Sequence, residues 1–215
     1  MKMIYFKYPD FKNNWQDAFS SKKFKTQFVI TIGVLLSLLT LLSYFFAFIE
    51  SRAGDQLHDV VLSHLPTYNL SMMTFIVIYS AAIICLINLL PRPVQLLTAL
   101  LAYFFILLLR IITIYFWPLE APQDIIPLQD PFVETFFYGH TRITKDLFFS
   151  GHVATVCLLF LVNPYRPLKM FYALVVFLVA AFILLQHAHY TIDVLMAPLF
   201  AWGAYQLSKW CLVSV

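Results

Sequence analysis

The chain has 215 residues, of which 61% are hydrophobic, 18% aromatic and only 12% charged. Soluble proteins carry about 25% charged residues, so this composition excludes a soluble globular protein and indicates a membrane protein. The net charge of +3 is too small to suggest a nucleic-acid-binding protein. The three cysteines are dispersed in apolar segments, so they predict neither a disulfide framework nor a thiolate metal site.

Residues 1–26 form a basic and aromatic segment that holds six of the lysines. Such a segment is either a flexible tail or an amphipathic element on the cytoplasmic headgroups, and its many aromatic residues favour the second interpretation. We expect it to serve as an anchor. The remaining residues, 27–215, are expected to form one membrane domain.

Six apolar stretches approach the roughly 20 helical residues needed to cross a bilayer core of about 30 Å. They predict an all-α, polytopic membrane protein with six transmembrane helices at Gln27–Ile49, Ser71–Leu90, Val94–Phe116, Leu147–Val162, Leu168–Gln186 and Tyr190–Leu212. Proline-containing turns separate the third span from the second and the fifth from the fourth. The segments 50–69 and 117–146 are long enough to hold structure of their own.

Basic residues are distributed unequally between the two sides of these six spans. With the N-terminus in the cytoplasm, ten of the 14 Lys and Arg fall on the inner side, and the outer segments hold only Arg52, Arg142 and Lys145. Cytoplasmic loops are enriched in Lys and Arg, so both termini are expected in the cytoplasm. The two long loops are then periplasmic, lumenal or extracellular.

Ionisable residues inside membrane segments are costly and therefore mark functional sites. The candidates are Arg110, His152, His187, His189 and Asp193. In the predicted topology, all except His187 converge on the outer leaflet. A random scatter of polar residues would not be expected to form one such layer.

His189 and Asp193 are four residues apart, which predicts that they share one helix face one turn apart. The carboxylate would then fix the imidazole tautomer and stabilise the ring when it acts as a nucleophile. His152 follows Ser150 and Gly151, where a new helix offers exposed amides to an anion, and its imidazole could protonate a leaving alkoxide.

Simpler interpretations exist for each of these residues. A histidine at the membrane interface is usually a hydrogen-bonded packing residue, and Arg110 could extend its side chain toward headgroups. A metal site built from His152, His187 and His189 would need carboxylate or thiolate ligands that the spacing does not supply.

Three separated motifs together resemble the sphingomyelin synthase family. They are Asp-Leu-Phe-Phe-Ser-Gly-His at 146–152, His-Ala-His-Tyr-Thr-Ile-Asp-Val at 187–194 and Arg-Ile-Ile-Thr-Ile-Tyr at 110–115. That family lies within the wider lipid phosphatase and phosphotransferase group that includes type 2 phosphatidic acid phosphatases. The resemblance extends from about Leu57 to the C-terminus.

The resemblance implies a catalytic triad of His152, His189 and Asp193 in residues 27–215. His189 would attack the phosphorus of a phospholipid to give a phosphohistidine, while Asp193 orients it. His152 would protonate the departing diacylglycerol and then deprotonate the acceptor hydroxyl. Substrate binding is expected from Arg110, Asp146, Ser150, Gly151, Tyr115 and Tyr190, with Glu134 and His187 as further candidates. Neither a metal nor another cofactor is expected.

The function expected from this resemblance is transfer of a phosphorylated headgroup from a glycerophospholipid to ceramide or a diacylglycerol-type acceptor at the outer membrane face. Two alternatives stay open. Water could replace the acceptor, which would make the protein a lipid phosphatase or a phospholipase C-type hydrolase. A non-enzymatic lipid-handling protein would explain the helices but not the polar layer. The expected partners are lipids and the bilayer, with no nucleic acid, and a homo-oligomer is compatible with the sequence.

Overall fold

The computed structural model describes residues 10–130 and 143–212. In these ranges the backbone forms seven α-helices, and the sole β-type pairing is one isolated bridge. The helices are α1 (Phe11–Ser20), α2 (Lys22–Glu50), α3 (Ser71–Leu89), α4 (Pro93–Phe116), α5 (Gly151–Val162), α6 (Arg166–Leu185) and α7 (Thr191–Leu212). The predicted all-α class is confirmed for this part of the chain.

Four helices, α2, α3, α4 and α6, are long and apolar enough to cross a membrane, which indicates a membrane-embedded protein. Helix α5 is apolar but has only 12 residues, and α7 is outside this group although it has 22. A helix of 12 residues is only about 18 Å long, which is short of a bilayer core of about 30 Å. Six crossings therefore stay a prediction.

Local capping shifts three predicted boundaries. Helix α2 begins at Lys22 rather than Gln27, because the Ser21 hydroxyl accepts a hydrogen bond from the Phe24 amide at 3.3 Å. The fourth segment becomes helical at Gly151, not at Leu147. Here Phe148 has a left-handed backbone (φ 76°), which a continuous α-helix excludes. The last helix begins at Thr191, so His189 precedes it.

Helix α4 packs against α2, α5 and α7, while α3 packs against α6 and α5. Small residues allow close approach at these contacts, since Ala102, Ala154, Ala197 and Ala201 are completely buried. Because lipid is as apolar as the helix surfaces, close van der Waals packing of this kind favours association within a membrane.

One end of the bundle, the α1 end, is where α3 turns into α4 and where α7 finishes. Trp15 of α1 donates its indole N–H to the Leu90 carbonyl at 2.7 Å and stacks on Phe19. Phe19 in turn contacts Phe24 and Phe28 at ring centroid distances of 5.5 and 5.7 Å. The aromatic residues of α1 thus pack on the protein, and contact between α1 and the headgroups stays a prediction.

The opposite end, the loop end, contains the connections α2–α3, α4–α5 and α6–α7. Gly54 lies so close to the following α4–α5 segment that a Cβ atom would come within 2.6 Å of the Leu119 carbonyl carbon. Asp55 forms the isolated parallel bridge with Leu119. Glycine is required here because no side chain fits between the two backbones.

Polar contacts hold the same loops together. Glu50 accepts hydrogen bonds from the backbone amides of Thr144 and Lys145. Lys145 forms an ion pair with Glu120 at 2.8 Å, and Asp59 accepts the Thr191 amide at 2.6 Å at the start of α7. At the loop end, side-chain hydrogen bonds and an ion pair therefore connect distant parts of the chain.

Candidate active site

Arg110 is buried in α4 and holds the segment that precedes α5. Its guanidinium donates to the Phe149 carbonyl and forms an ion pair with Asp146. A Cβ atom at Gly151 would lie 2.7 to 2.9 Å from three guanidinium atoms. Glycine at this position therefore lets the arginine lie flat against the start of α5.

Ser150 connects the start of α5 with α7. Its hydroxyl caps α5 by accepting the Val153 amide at 3.4 Å, and its own amide donates to the Asp193 carbonyl at 3.0 Å. The first contact starts the helix that carries His152, and the second fixes that start against α7. Ser150 is fully buried and contributes through the backbone geometry it sets.

His189 and Asp193 form a buried pair. The Nδ1 atom of His189 lies 3.2 Å from Oδ2 of Asp193, and the same oxygen accepts the Tyr190 amide at 3.1 Å. The predicted contact is present, although His189 is in the turn before α7 rather than on the helix. With Nδ1 facing the carboxylate, Nε2 is the nitrogen that is left for chemistry.

His152 lies in the first turn of α5, with its ring 6.5 Å from that of His189 and 5.5 Å from that of Phe75, centroid to centroid. Both histidines line a cavity of about 590 Å³. Two buried polar atoms at this site, Nδ1 of His152 and Oδ1 of Asp193, have no hydrogen-bond partner among the described residues. Such atoms are available to a water molecule or a substrate.

The cavity combines one polar region with long apolar walls. Arg110, Asp146, Gly151, His152 and His189 lie at its polar end. Helices α2, α3 and α4 supply apolar side chains, among them Leu39, Leu42, Phe46, Phe75, Ile78, Ile106 and Leu107. The cavity lies between α2 and α3, and α4 forms another of its walls.

The other predicted site residues lie elsewhere. Tyr115 is about half exposed and stacks on Phe48, away from the cavity lining. The Tyr190 hydroxyl donates to the Glu120 carbonyl at 3.0 Å and so supports the loops. His187 has a left-handed backbone and contacts the Gln123 carbonyl through Nδ1 at 3.3 Å. Glu134 lies outside the described residues.

Tyr79 and Asp130 are among the polar cavity residues that sequence reasoning did not assign to the site. The Tyr79 hydroxyl donates to Asp130, with distances of 2.7 and 2.8 Å to the two carboxylate oxygens. A tyrosine in an apolar helix is common, so nothing marked Tyr79 as a site residue. Asp130 could have been found only by knowing how its loop folds back over α3.

The cavity is not strongly positive, because its described lining contains one arginine, Arg110, and two carboxylates, Asp146 and Asp130. Arg110 is the one Lys or Arg side chain among the described cavity-lining residues, and Asp146 already neutralises it. The described residues contain no cluster of three or more His, Cys, Asp or Glu with the geometry of a metal site. Metal-independent chemistry stays a prediction.

At the loop end, hydrogen bonding changes the acidity of two carboxyls. Partial burial raises the pKa of Asp59, but hydrogen bonds from Thr191, Leu62 and Val61 outweigh it and leave that pKa below 3.8. The pKa of Glu120 is lowered from 4.5 by the Lys145 ammonium and the Gly54 amide. Both groups are therefore anionic at neutral pH.

The fold and the site together define a membrane-embedded protein in which two histidines and an arginine line an internal cavity. Residues 145–210 match the family model described as PAP2 superfamily C-terminal, a segment that includes Asp146, His152, His189 and Asp193. This similarity supports the type 2 phosphatidic acid phosphatase superfamily, whose members are lipid phosphatases and phosphotransferases. It supports an enzyme of lipid metabolism and does not confirm the narrower resemblance to sphingomyelin synthases. No curated protein matches the chain.

Proposed function

We propose that the protein transfers a phosphorylated headgroup from a glycerophospholipid to ceramide through a phosphohistidine intermediate. The observation that carries this proposal is the cavity, in which two histidines and one arginine meet walls supplied by α2, α3 and α4. A site for two lipids needs both a polar centre for the phosphate and apolar space for acyl chains.

In the first half-reaction, Nε2 of His189 attacks the donor phosphorus, and the bond from phosphorus to the diacylglycerol oxygen breaks. His152, in its protonated form, gives its proton to that oxygen. Asp193 holds Nδ1 of His189 and stabilises the positive charge on the ring. Arg110, paired with Asp146, binds the phosphate oxygens.

In the second half-reaction, the primary hydroxyl of ceramide attacks phosphorus and gives its proton to His152, while the bond to Nε2 of His189 breaks. Both histidines return to their starting states. Binding roles for Gly151, Ser150, Tyr115 and Tyr190, and for Glu134 and His187, are part of the same proposal. Gly151 and Ser150 shape the α5 start. Tyr115, Tyr190 and His187 do not line the cavity, and Glu134 lies outside the described residues.

The charge of the cavity favours a phosphodiester over a phosphate monoester. A monoester carries about two negative charges at neutral pH, whereas a phosphodiester carries one. Arg110 alone, already paired with Asp146, suits the single charge better. In addition, no arginine stands between Lys169 and His189, where phosphatases of the wider group carry one.

The test is a reconstitution assay with labelled ceramide and phosphatidylcholine, phosphatidylethanolamine or phosphatidylinositol, and with phosphatidic acid alone. We expect a phosphorylated ceramide product that His189→Ala abolishes and that chelators leave unchanged. Dominant release of inorganic phosphate from phosphatidic acid, with no ceramide product, would replace the transferase by a phosphatase. Lipid movement without any bond cleavage would show that the protein handles lipids but is not an enzyme.

We also propose that the termini are cytoplasmic and that the reaction takes place on the outer face, which the unequal distribution of basic residues supports. Single cysteines placed in segment 117–146 of a cysteine-free variant should react with an impermeant reagent in intact cells. Reaction only after permeabilisation would reverse this orientation. Measurement of the molecular mass in detergent would test the expected homo-oligomer, because a mass equal to one chain would contradict it.

A further inference from the structure

Gln186 occupies the end of α6, three residues before His189, and it is completely buried. Its side-chain oxygen accepts the Leu70 amide at 3.0 Å. Its Nε2 atom donates to the Ser71 hydroxyl at 2.7 Å and lies 3.1 and 3.3 Å from the Ile126 and Pro127 carbonyls. The backbone of Gln186 also accepts the Ile126 amide at 3.1 Å. One buried amide thus connects three separate segments.

Two of those segments form walls of the cavity. Leu70 and Ser71 start α3, the helix that brings Phe75 into the cavity lining. Ile126 lies in the loop whose neighbouring residues Ile125, Pro127 and Leu128 also line the cavity. The Ser71 hydroxyl also contacts this loop directly, by accepting the Gln129 amide at 3.2 Å.

The third segment carries the nucleophile. After Gln186 the chain makes a tight turn, in which His187 has φ of 51° and the Ala188 amide donates to the Ile183 carbonyl at 3.1 Å. This turn fixes His189 relative to Gln186. The position of the two walls relative to the nucleophile therefore depends on the Gln186 amide.

We propose that Gln186 is a positioning residue that sets the distance between His189 and the cavity walls formed by the α3 start and loop 125–129. It thereby determines how tightly the acceptor lipid is held and how well water is kept from the phosphohistidine. This inference rests on the proposed function. A wall that is free to move admits water, which competes with the acceptor hydroxyl.

Gln186→Glu distinguishes the contributions of the two walls, because it keeps the attachment to α3 and breaks the attachment to loop 125–129. The introduced carboxyl group still accepts the Leu70 amide and can accept the Ser71 hydroxyl, so α3 stays attached. The Ile126 and Pro127 carbonyls lose their donor and face a carboxylate instead. We expect the apparent KM for ceramide and the ratio of hydrolysed to transferred headgroup each to rise about tenfold, with a smaller change in kcat.

Gln206→Leu is the matched control, because Gln206 is exposed on α7 and lies outside this cavity. It should behave as wild type. Ser71→Ala is a milder second variant that removes the hydroxyl between Gln186 and the Gln129 amide. It should shift KM and the hydrolysis ratio in the same direction by a smaller factor, and it keeps the test valid if Gln186→Glu fails to fold.

The experiment uses the full chain in vesicles of phosphatidylcholine or phosphatidylethanolamine with labelled ceramide, scoring lipid product and released water-soluble headgroup. If folded Gln186→Glu and Ser71→Ala keep the wild-type KM and hydrolysis ratio, the inference is wrong. If the wild type makes no ceramide product from any donor, the proposed function fails. The KM for the hydrolysed lipid then decides the role of Gln186: a rise of about tenfold in Gln186→Glu supports it, and an unchanged KM overturns it.

Discussion

The two ends of the helix bundle are held together by different interactions. At the α1 end, aromatic rings of Trp15, Phe19, Phe24 and Phe28 pack edge to face or stacked, and the Trp15 indole adds a hydrogen bond to the Leu90 carbonyl. At the loop end, carboxylates, amides and a lysine connect backbone segments that are far apart in sequence. Apolar packing tolerates small shifts, whereas hydrogen bonds fix distances to a few tenths of an ångström.

This difference corresponds to what each end has to do. Under the proposed function, phosphoryl transfer requires reacting groups to be held in a near-attack arrangement, so the end with the histidines would need directional contacts. The α1 end only has to keep helices together. We therefore expect mutations at the loop end to change activity more than stability, and mutations at the α1 end to do the reverse.

Among the variants that compare the two ends, Asp193→Asn has the largest expected effect. An amide in place of the carboxylate favours the wrong tautomer of His189, and it removes the negative charge that stabilises the ring, so transfer should fall by about a few hundred to ten thousand fold. Initial rates of headgroup transfer to ceramide in reconstituted vesicles measure this loss. Asp17→Asn, on the exposed surface of α1, is the control and should keep full activity. A rate for Asp193→Asn within threefold of wild type would contradict the triad.

Phe24→Ala should produce the largest stability effect. Phe24 is 1% exposed, so its truncation leaves a cavity and costs about 3 kcal/mol. The unfolding temperature in detergent should fall, while the transfer rate per folded molecule stays at the wild-type value. Phe11→Ala removes an aromatic ring that is 53% exposed and should leave the unfolding temperature nearly unchanged. A large loss of specific activity in Phe24→Ala would remove the distinction between the two ends.

Gly151→Ala tests the contact between α5 and Arg110. The new methyl group would overlap the guanidinium, and the resulting displacement should lower transfer by about ten to a hundred fold. Gly203→Ala is an equivalent change in α7, where no atom lies within 4 Å of the added carbon. Full activity of both variants would show that the position of Arg110 is unimportant.

Asp59→Asn should have the smallest effect, which is a pH-dependent decrease in the unfolding temperature. Because folding lowers the pKa of Asp59 below 3.8, the carboxylate stabilises the folded state above that pH and loses this contribution as the pH falls through the lowered pKa. Unfolding temperatures of wild type and variant should therefore differ at neutral pH and converge in acid. A difference that grows on acidification would show that the sign is wrong.

Much of the fold could be predicted because hydropathy reports helix position directly. Helices α3 and α4 begin and end within one residue of their predicted limits. The start of α5 could not be predicted, since it depends on the Phe148 backbone and on the contact of the Ser150 amide with Asp193, forty-three residues away. Local sequence does not record such long-range contacts.

In the candidate site too, local contacts could be predicted from the sequence and long-range contacts could not. His189 and Asp193 were predictable because their contact is local. The contact of Arg110 with Gly151, and the Tyr79 hydrogen bond to Asp130, each join separate elements. Tyr115 and Tyr190 were expected at the site from motif position alone, yet Tyr115 stacks on Phe48 and Tyr190 supports the loops. Tyr115 lies on a more exposed face of α4 than Arg110, and Tyr190 lies in the turn before α7.

The shortness of α5 sets how deep the chemistry lies. One end of this helix joins the turn that leads to Arg166, whose charge favours the membrane surface, and the other carries His152. A rise of about 18 Å from that surface stops about 12 Å short of the far side of the hydrocarbon layer. In the proposed reaction, a donor phosphate would therefore sink below its leaflet's headgroups, or the bilayer would thin around the protein. Turnover should consequently slow as the acyl chains of the host membrane lengthen, a thickness dependence that a surface-bound enzyme would not have.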